Sequence, residues 1–346
     1  MTDNPIAEAT ARIFADLADP QTLNAARDDG WRAPLWGALE ETGLTRAWIA
    51  EERGGAGATL ADGFEILRIA GQYACPVALA ETLLAGWALA EAGLDVPEGV
   101  LAVAPVRVGD RLTLHAQGTV SGIARAVPHG QEASLLVLVL HDQLLTFRPG
   151  GWAAAPRGTD MGGERADLSF DAARPEAMAD MPGGGDALLR VGAVARACMM
   201  AGALETALKI TVDYTQEREA FGRKIGKFQA VQQNLAVLAG EVAAALTAAG
   251  SAADTLATEP HAGPAAFLEV ASAKIRVGEA VETGAAIAHQ AHGAIGWTQE
   301  YELQRFSRRM WGWRDAFGSE ADWAIRLGTH VAAEGADRLW PMLTTR

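Results

Sequence analysis

Only two cysteines occur among the 346 residues, Cys75 and Cys198, far apart and in apolar surroundings. That excludes a disulfide framework and any zinc spacing, and both thiols read as core fillers. Positive charge is also short: 29 Lys and Arg stand against 43 Asp and Glu, for a net charge of −14. The phosphate backbone of a nucleic acid is therefore excluded as the expected partner. Aromatics are sparse at 6%, while Ala, Leu and Gly abound, a bias toward helix. No uninterrupted apolar stretch reaches the length of a membrane span. The N-terminal M-T-D-N-P-I-A-E lacks the basic segment and apolar run of a secretory signal, so the expected location is cytoplasmic. H-E-x-x-H, G-x-S-x-G and G-x-x-x-x-G-K-[ST] are all missing. Of seven histidines only His289 and His292 are close, a spacing more often structural than metal-binding; no metal site is expected.

What is present falls into three grammars. Residues 1–100 read as helices: Ile6–Leu17, halted by Asp19-Pro20; Trp31–Thr42, with Trp31, Leu35, Trp36 and Leu39 on one face; Leu60–Gly71; and Val77–Ala92. The glycine-rich Glu52-Arg53-Gly54-Gly55-Ala56-Gly57 lacks the third glycine of a dinucleotide loop and any preceding strand signal, and is read as a loop. From about Val100 short apolar runs take over, at Val100–Val106, Leu112–His115, Gly118–Ser121, Leu135–Leu140 and Leu144–Phe147, separated by turn residues. Leu135–Leu140 has no polar alternation, as expected of a strand buried on both faces. Arg157–Gly185 reads as a loop-rich return. Beyond Asp186 all is helical again, with Leu188–Thr215, Gly226–Leu256, Pro264–His289, Tyr301–Met310 and Ala321–Glu334. The expectation is a mainly α chain with a small central β domain: an N-terminal helical domain over 1–100, a reduced β domain over 101–182, and a C-terminal four-helix bundle over 183–346.

Three stretches offer chemistry. In Y-T-Q-E-R-E-A-F-G-R-K-I-G-K-F-Q-A-V-Q-Q, Tyr214 to Gln233, Arg218 and Phe221 sit where the chain must break helix at Gly222. They form either a clamp for an anionic, aromatic ligand or a solvated inter-helix loop. In His289–Tyr301, Gln290, Gly293 and Gly296 let a backbone approach a pyrophosphate closely; an ordinary glycine-ended helix explains Gly293 but not Gly296. Arg305–Glu320 mixes arginines with tryptophans, as a ligand lining or a capped surface helix.

Arg218-x-x-Phe221-Gly222 followed by Phe228-Gln229, then Gln290-x-x-Gly293, then Arg314-Asp315, resembles the C-terminal bundle of the acyl-CoA dehydrogenase family. Trp31…Gly43-Leu44 and Glu52-Arg53-Gly54-Gly55-x-Gly57 are similar to its N-terminal domain, and the order α, β, α-bundle agrees. The resemblance covers most of the chain. It implies FAD, an acyl-CoA thioester substrate, electron-transfer flavoprotein or a similar acceptor, and homologous subunits paired through the bundle as a dimer or α2β2 tetramer. It places Arg218 on the flavin pyrophosphate, Phe221 beside the cofactor, Gln229 toward its ribose or adenine end, and Gln290 to Ala294, with Gly293, around the adenine nucleotide. In the family these groups reach across the interface to the neighbouring subunit's flavin.

The departures concern catalysis. The family's base is a glutamate that takes the α-proton while hydride leaves to flavin N5. One family position precedes R-x-x-F-G by about 26 residues and falls here at Gly192. The other falls at Phe317, in Ala316-Phe317-Gly318-Ser319. Glu320 is the nearby carboxylate, either a substitute base or a helix-start residue favoured by the dipole. The Thr-Glu-Pro and Gly-Ser-Asp hallmarks of the β domain are missing between residues 101 and 180; Thr258-Glu259-Pro260-His261-Ala262-Gly263 imitates them by coincidence. The leading expectation is the short subunit of a heteromeric acyl-CoA dehydrogenase, lending FAD contacts to a catalytic partner. Such two-subunit enzymes act on bulky CoA thioesters, steroid side chains included, so the analogy implies a large or ring-bearing acyl group. The alternatives are a self-sufficient homodimer using Glu320 and a flavin-free helical scaffold.

Overall fold

The computed structural model describes residues 4–344, apart from 27, 76, 158–163 and 259–263. Five helices come first: α1 (Pro5–Leu17), α2 (Pro20–Ala25), α3 (Arg32–Glu41), α4 (Leu60–Gln72) and α5 (Leu79–Glu91). Asp19-Pro20 does more than stop α1. Asp19 caps α2 through a side-chain bond from the Thr22 amide, and Pro20 takes the first turn, where its missing N–H costs nothing.

Eight strands follow, in two four-stranded sheets ordered β1-β4-β5-β8 and β2-β3-β7-β6. Their ranges are β1 (Leu101–Ala104), β2 (Arg111–Leu114), β3 (Val120–Pro128), β4 (Leu135–Leu140), β5 (Gln143–Phe147), β6 (Ala153–Pro156), β7 (Arg165–Ala173) and β8 (Ala177–Asp180). All six residues of β4 are buried, as its unbroken apolar run required. It lies between a parallel β1 and an antiparallel β5. The stretch read as a loop-rich return instead supplies β7 and β8. In β7, Ala166, Leu168 and Phe170 point inward, alternating with less buried neighbours; this is a period-two strand pattern masked by the glycines and prolines on either side. The imitation hallmark after Thr258 lies outside the described residues.

The bundle is α6 (Gly184–Glu217), α7 (Gln229–Thr258), α8 (Pro264–His292), α9 (Leu303–Arg314), α10 (Glu320–Glu334) and α11 (Ala336–Thr344). Between α6 and α7 stands a two-stranded hairpin, β9 (Glu219–Ala220) and β10 (Arg223–Lys224). Every residue of α6 from Val191 to Leu204 is buried, the mark of a helix with protein on all sides. By length and composition α6 and α7 are apolar enough to cross a membrane, although neither holds an uninterrupted apolar run. The apolar window of α6 is 83% buried inside the fold, that of α7 only 28%. Both cysteines are buried and free. Burial pushes the Cys75 thiol up to about 11 and that of Cys198 up to about 12, so neither offers a thiolate.

Candidate functional site

Helix α7 runs back along α6, and α8 runs back along α7. The C-terminal ends of α6 and α8 and the start of α7 therefore meet at one end of the bundle. Tyr214, one turn before the end of α6, fastens this end. Its ring stacks on His292 at 4.3 Å and its hydroxyl donates to the His292 carbonyl at 3.3 Å. Residues as distant in sequence as Arg218, Gln229 and Gln290 are thus gathered at one end.

The hairpin there is built to expose its tip. Phe221 and Gly222 both have left-handed backbones, φ +53° and +74°, as a tight hairpin turn of the right-handed twist demands. Glycine does this freely; a phenylalanine pays about 1–3 kcal/mol. Yet the Phe221 ring is 96% exposed, touching Phe228 edge-on at 6.2 Å, while the Arg223 guanidinium lies 4.0 Å over Phe228. The side chains of Arg218, Gln229 and Gln290, with Gly293 and Ala294, also face outward. Arg218 forms no ion pair among the described residues. The structure brings these sequence-predicted residues to one exposed end, where four cations (Arg218, Arg223, Lys224 and Lys227) contrast with a chain of net charge −14.

Behind them the two histidines are packed. His289 stacks on Trp297 at 3.7 Å and meets Ser307 Oγ through Nε2 at 2.9 Å; His292 donates from Nδ1 to the Ala288 carbonyl. Gly296 has a packing reason, since a Cβ there would stand 3.0 Å from His292 Cβ and 3.2 Å from Leu303 Cδ2. Gly293, at φ +66°, has open space around it. Burial, and then the neighbouring His292, push the His289 imidazole down from 6.5 to about 4. The folded chain keeps this ring neutral where an unfolded chain takes up a proton, so stability falls as pH drops from 6.5 toward 4. His289→Gln is expected to flatten that limb of a plot of urea midpoint against pH; an unchanged slope would assign the proton uptake elsewhere.

The two family base positions converge in the interior. A Cβ added to Gly192 would lie 2.4 Å from Phe317 Cδ1, so the ring fills the space a side chain on α6 would need. Phe317 is 1% exposed and left-handed, φ +55°. Its amide donates to the Val106 carbonyl at 2.7 Å and its carbonyl accepts from Trp323 Nε1 at 2.9 Å. Buried Lys274 adds bonds to the carbonyls of Arg314 and Gly318, which pins the turn between α9 and α10. Neither position presents a carboxylate. Glu320 begins α10, pairs with Arg314, and has its Cγ against Gly278, a placement that holds a helix start.

A carboxylate the sequence reading missed lies close by. Glu81, 3% exposed, pairs with Arg196, 1% exposed, whose guanidinium sits 6.0 Å from the Phe317 ring centre. Burial works to raise the Glu81 pKa, but the charge of Arg196 prevails and the net shift is downward. That is the wrong direction for a general base. An open groove of about 560 Å³ between the first sheet and α6 is lined by Val106 and Arg107. The same two residues line a narrow pocket of about 30 Å³ beside Glu81 and Arg196. His129, Glu132 and Glu164 have ligating atoms within 4.8 Å of one another. Arg32 already supplies their cation, 2.7 Å from Glu164 and 3.8 Å from Glu132.

A family model described as the C-terminal domain of acyl-CoA dehydrogenases matches residues 186–321. The acyl-CoA dehydrogenase IpdE2 of Mycobacterium tuberculosis is 30% identical over 331 residues, covering 94% of this chain and 95% of that protein. Among solved structures, the ChsE4-ChsE5 complex from Mycobacterium tuberculosis has a chain superposing with a TM-score of 0.85 at 22% identity, over 96% of this chain and 97% of that one. The Tcur3481-Tcur3483 steroid ACAD gives 0.81 at 26% identity, over 95% and 97%.

Proposed function

As the chain belongs to the acyl-CoA dehydrogenase family of oxidoreductases, we propose that it serves as the short, non-catalytic subunit of a heteromeric member. On this reading Arg218, Phe221, Gln229, Gln290, Gly293 and Ala294 bind the FAD of a homologous catalytic partner. The partner removes the α and β hydrogens of an acyl-CoA thioester and passes electrons to electron-transfer flavoprotein or a similar acceptor. The observation that carries the reading is the contrast within one chain. The residues proposed to meet the flavin are gathered on an exposed end, while both family base positions lack a carboxylate and Phe317 packs on Gly192.

These residues fit the cofactor chemically. A guanidinium forks onto a pyrophosphate, an exposed aromatic stacks on a planar ring, and side-chain amides meet the hydrogen-bonding edges of a nucleotide. FAD, when bound, accepts the hydride; this chain's part is to hold and orient it. Helix α7 offers a surface for pairing. Ala236, Ala239, Gly240 and Ala243 are exposed along it, beside Val237 at 50%, and small residues let two helices approach closely. A relative whose name joins two proteins as a steroid ACAD favours a bulky acyl group.

The test is purification of the chain alone and with its partner. The complex is expected to carry flavin absorbance and to oxidise a CoA thioester, and the chain alone to do neither. Turnover by the isolated chain would sink the subunit reading. A complex without flavin would favour a scaffold. Glu320→Gln in this chain is expected to leave the complex's turnover unchanged.

A further inference from the structure

The turn that follows Gly293 carries a second exposed aromatic besides Phe221. Gly293–Trp297 forms one short 3-10 helix after α8, locked by bonds from the Thr298 amide and hydroxyl to the Ile295 carbonyl at 3.1 and 3.0 Å. The Trp297 ring is 59% exposed, yet its plane is fixed. One face lies on His289 at 3.7 Å, the rings only 17° from parallel. His289 is itself buried and held by Ser307 at 2.9 Å. Trp311 lies 6.0 Å from both rings, which sets it beside the stacked pair and leaves the other face of Trp297 to solvent. Phe221, by contrast, meets Phe228 edge-on at 6.2 Å, with nothing to fix its plane. An indole already held flat loses little freedom when another ring stacks on it, so more of the stacking energy appears as affinity.

We propose that the free face of Trp297 is a stacking platform for the adenine of the flavin dinucleotide. Adjacency sets the ligand. Trp297 rests on His289, the neighbour of Gln290, and closes the turn that begins at Gly293. Nothing lies within 4 Å of a Cβ added to Gly293, so a flat ring can come close to the backbone there. A heteroaromatic base offers a π-face to the indole and a hydrogen-bonding edge to the Gln290 amide; an acyl chain would use neither. Charge agrees, since Arg218, Arg223, Lys224 and Lys227 at the same end of the bundle suit the dinucleotide's phosphates. The inference deepens the flavin reading and rests on it: it adds one residue to that site and gives it one task.

The complex with the catalytic partner is stripped of flavin and titrated with FAD, for the native chain and for Trp297→Ala, Trp297→Leu and Trp297→Phe. Trp297→Ala and Trp297→Leu are expected to weaken FAD binding about 5–150-fold, the range for one base on one aromatic. Trp297→Phe should restore most of the affinity. A packing role would be served by any apolar side chain, so recovery in Trp297→Leu, or no loss in Trp297→Ala, overturns the proposal. Failure of Trp297→Ala to assemble with the partner at saturating FAD also overturns it, by making Trp297 a subunit contact. Arg218→Ala in the same titration separates the two readings. A loss there with none at Trp297 overturns this inference alone; no loss at either position overturns the flavin reading with it. If Trp297→Ala fails to fold, the comparison of Trp297→Leu with Trp297→Phe decides.

Discussion

Replacing Arg218 by alanine is expected to strip flavin from the assembled complex while leaving this subunit folded. The structural work of residue 218 is done by its backbone. The amide donates to the Tyr214 carbonyl at 2.9 Å and the carbonyl accepts from the Ile225 amide at 2.8 Å, and both bonds survive in alanine. The side chain, by contrast, projects to solvent with no ion pair among the described residues. On the proposed reading it meets a pyrophosphate, a charged contact worth about 1.5–3 kcal/mol, or roughly 10–150-fold in flavin affinity. Flavin absorbance per complex after dialysis measures this, and circular dichroism of the variant chain confirms its fold. Arg218→Lys should recover part of the loss, since an ammonium keeps the charge but not the planar fork. Full flavin retention by the alanine variant would remove Arg218 from the cofactor site.

The second large effect is expected inside the fold. Removing one member of the Glu81–Arg196 pair leaves a buried charge without its partner, which costs about 3–5 kcal/mol. Arg196→Leu should therefore lower the urea midpoint sharply, and Glu81→Leu combined with Arg196→Met should recover most of it. The pH dependence gives an independent sign. In the native chain Glu81 is held below its ordinary value by Arg196, so its contribution is present above about pH 4.3 and is lost as pH falls through the folded value. In Arg196→Leu, burial, the largest influence on Glu81, is opposed only by His129 and a backbone hydrogen bond, and the pKa is expected to rise. The folded state then takes up a proton before the unfolded one does, and acidification toward that raised value stabilises. A variant whose stability still declines on mild acidification would show that the pair does not govern this carboxylate.

Local rules made much of this architecture readable. The stripe Val231, Leu235, Leu238, Val242, Leu246 announces α7, and the uniform apolarity of Leu135–Leu140 announces a central strand. Gly222 between two long helical patterns marks the turn that carries Arg218 and Phe221, because glycine takes the left-handed backbone freely. The interior was not readable in the same way. Gly192 lies on α6 and Phe317 in the turn between α9 and α10, and nothing in either neighbourhood states that one fills the space above the other. Glu81 lies in the first turn of α5 and Arg196 in the buried stretch of α6. Their pairing is a consequence of how α5 crosses α6, which no periodicity encodes. The strands β7 and β8 were obscured by their glycine and proline flanks, although the alternation in β7 was present throughout.

The stacking of Tyr214 on His292 has a consequence for how the chain tolerates change in length. It joins the end of a 34-residue helix to the end of a 29-residue one, and the 30-residue α7 between them returns the chain to its starting level. At about 1.5 Å per residue, losing a single turn from α8 alone would leave His292 some 5 Å short of Tyr214 and carry Gln290 away from Arg218. The bundle therefore acts as a gauge block: α7 and α8 can shorten or lengthen only together, in whole turns.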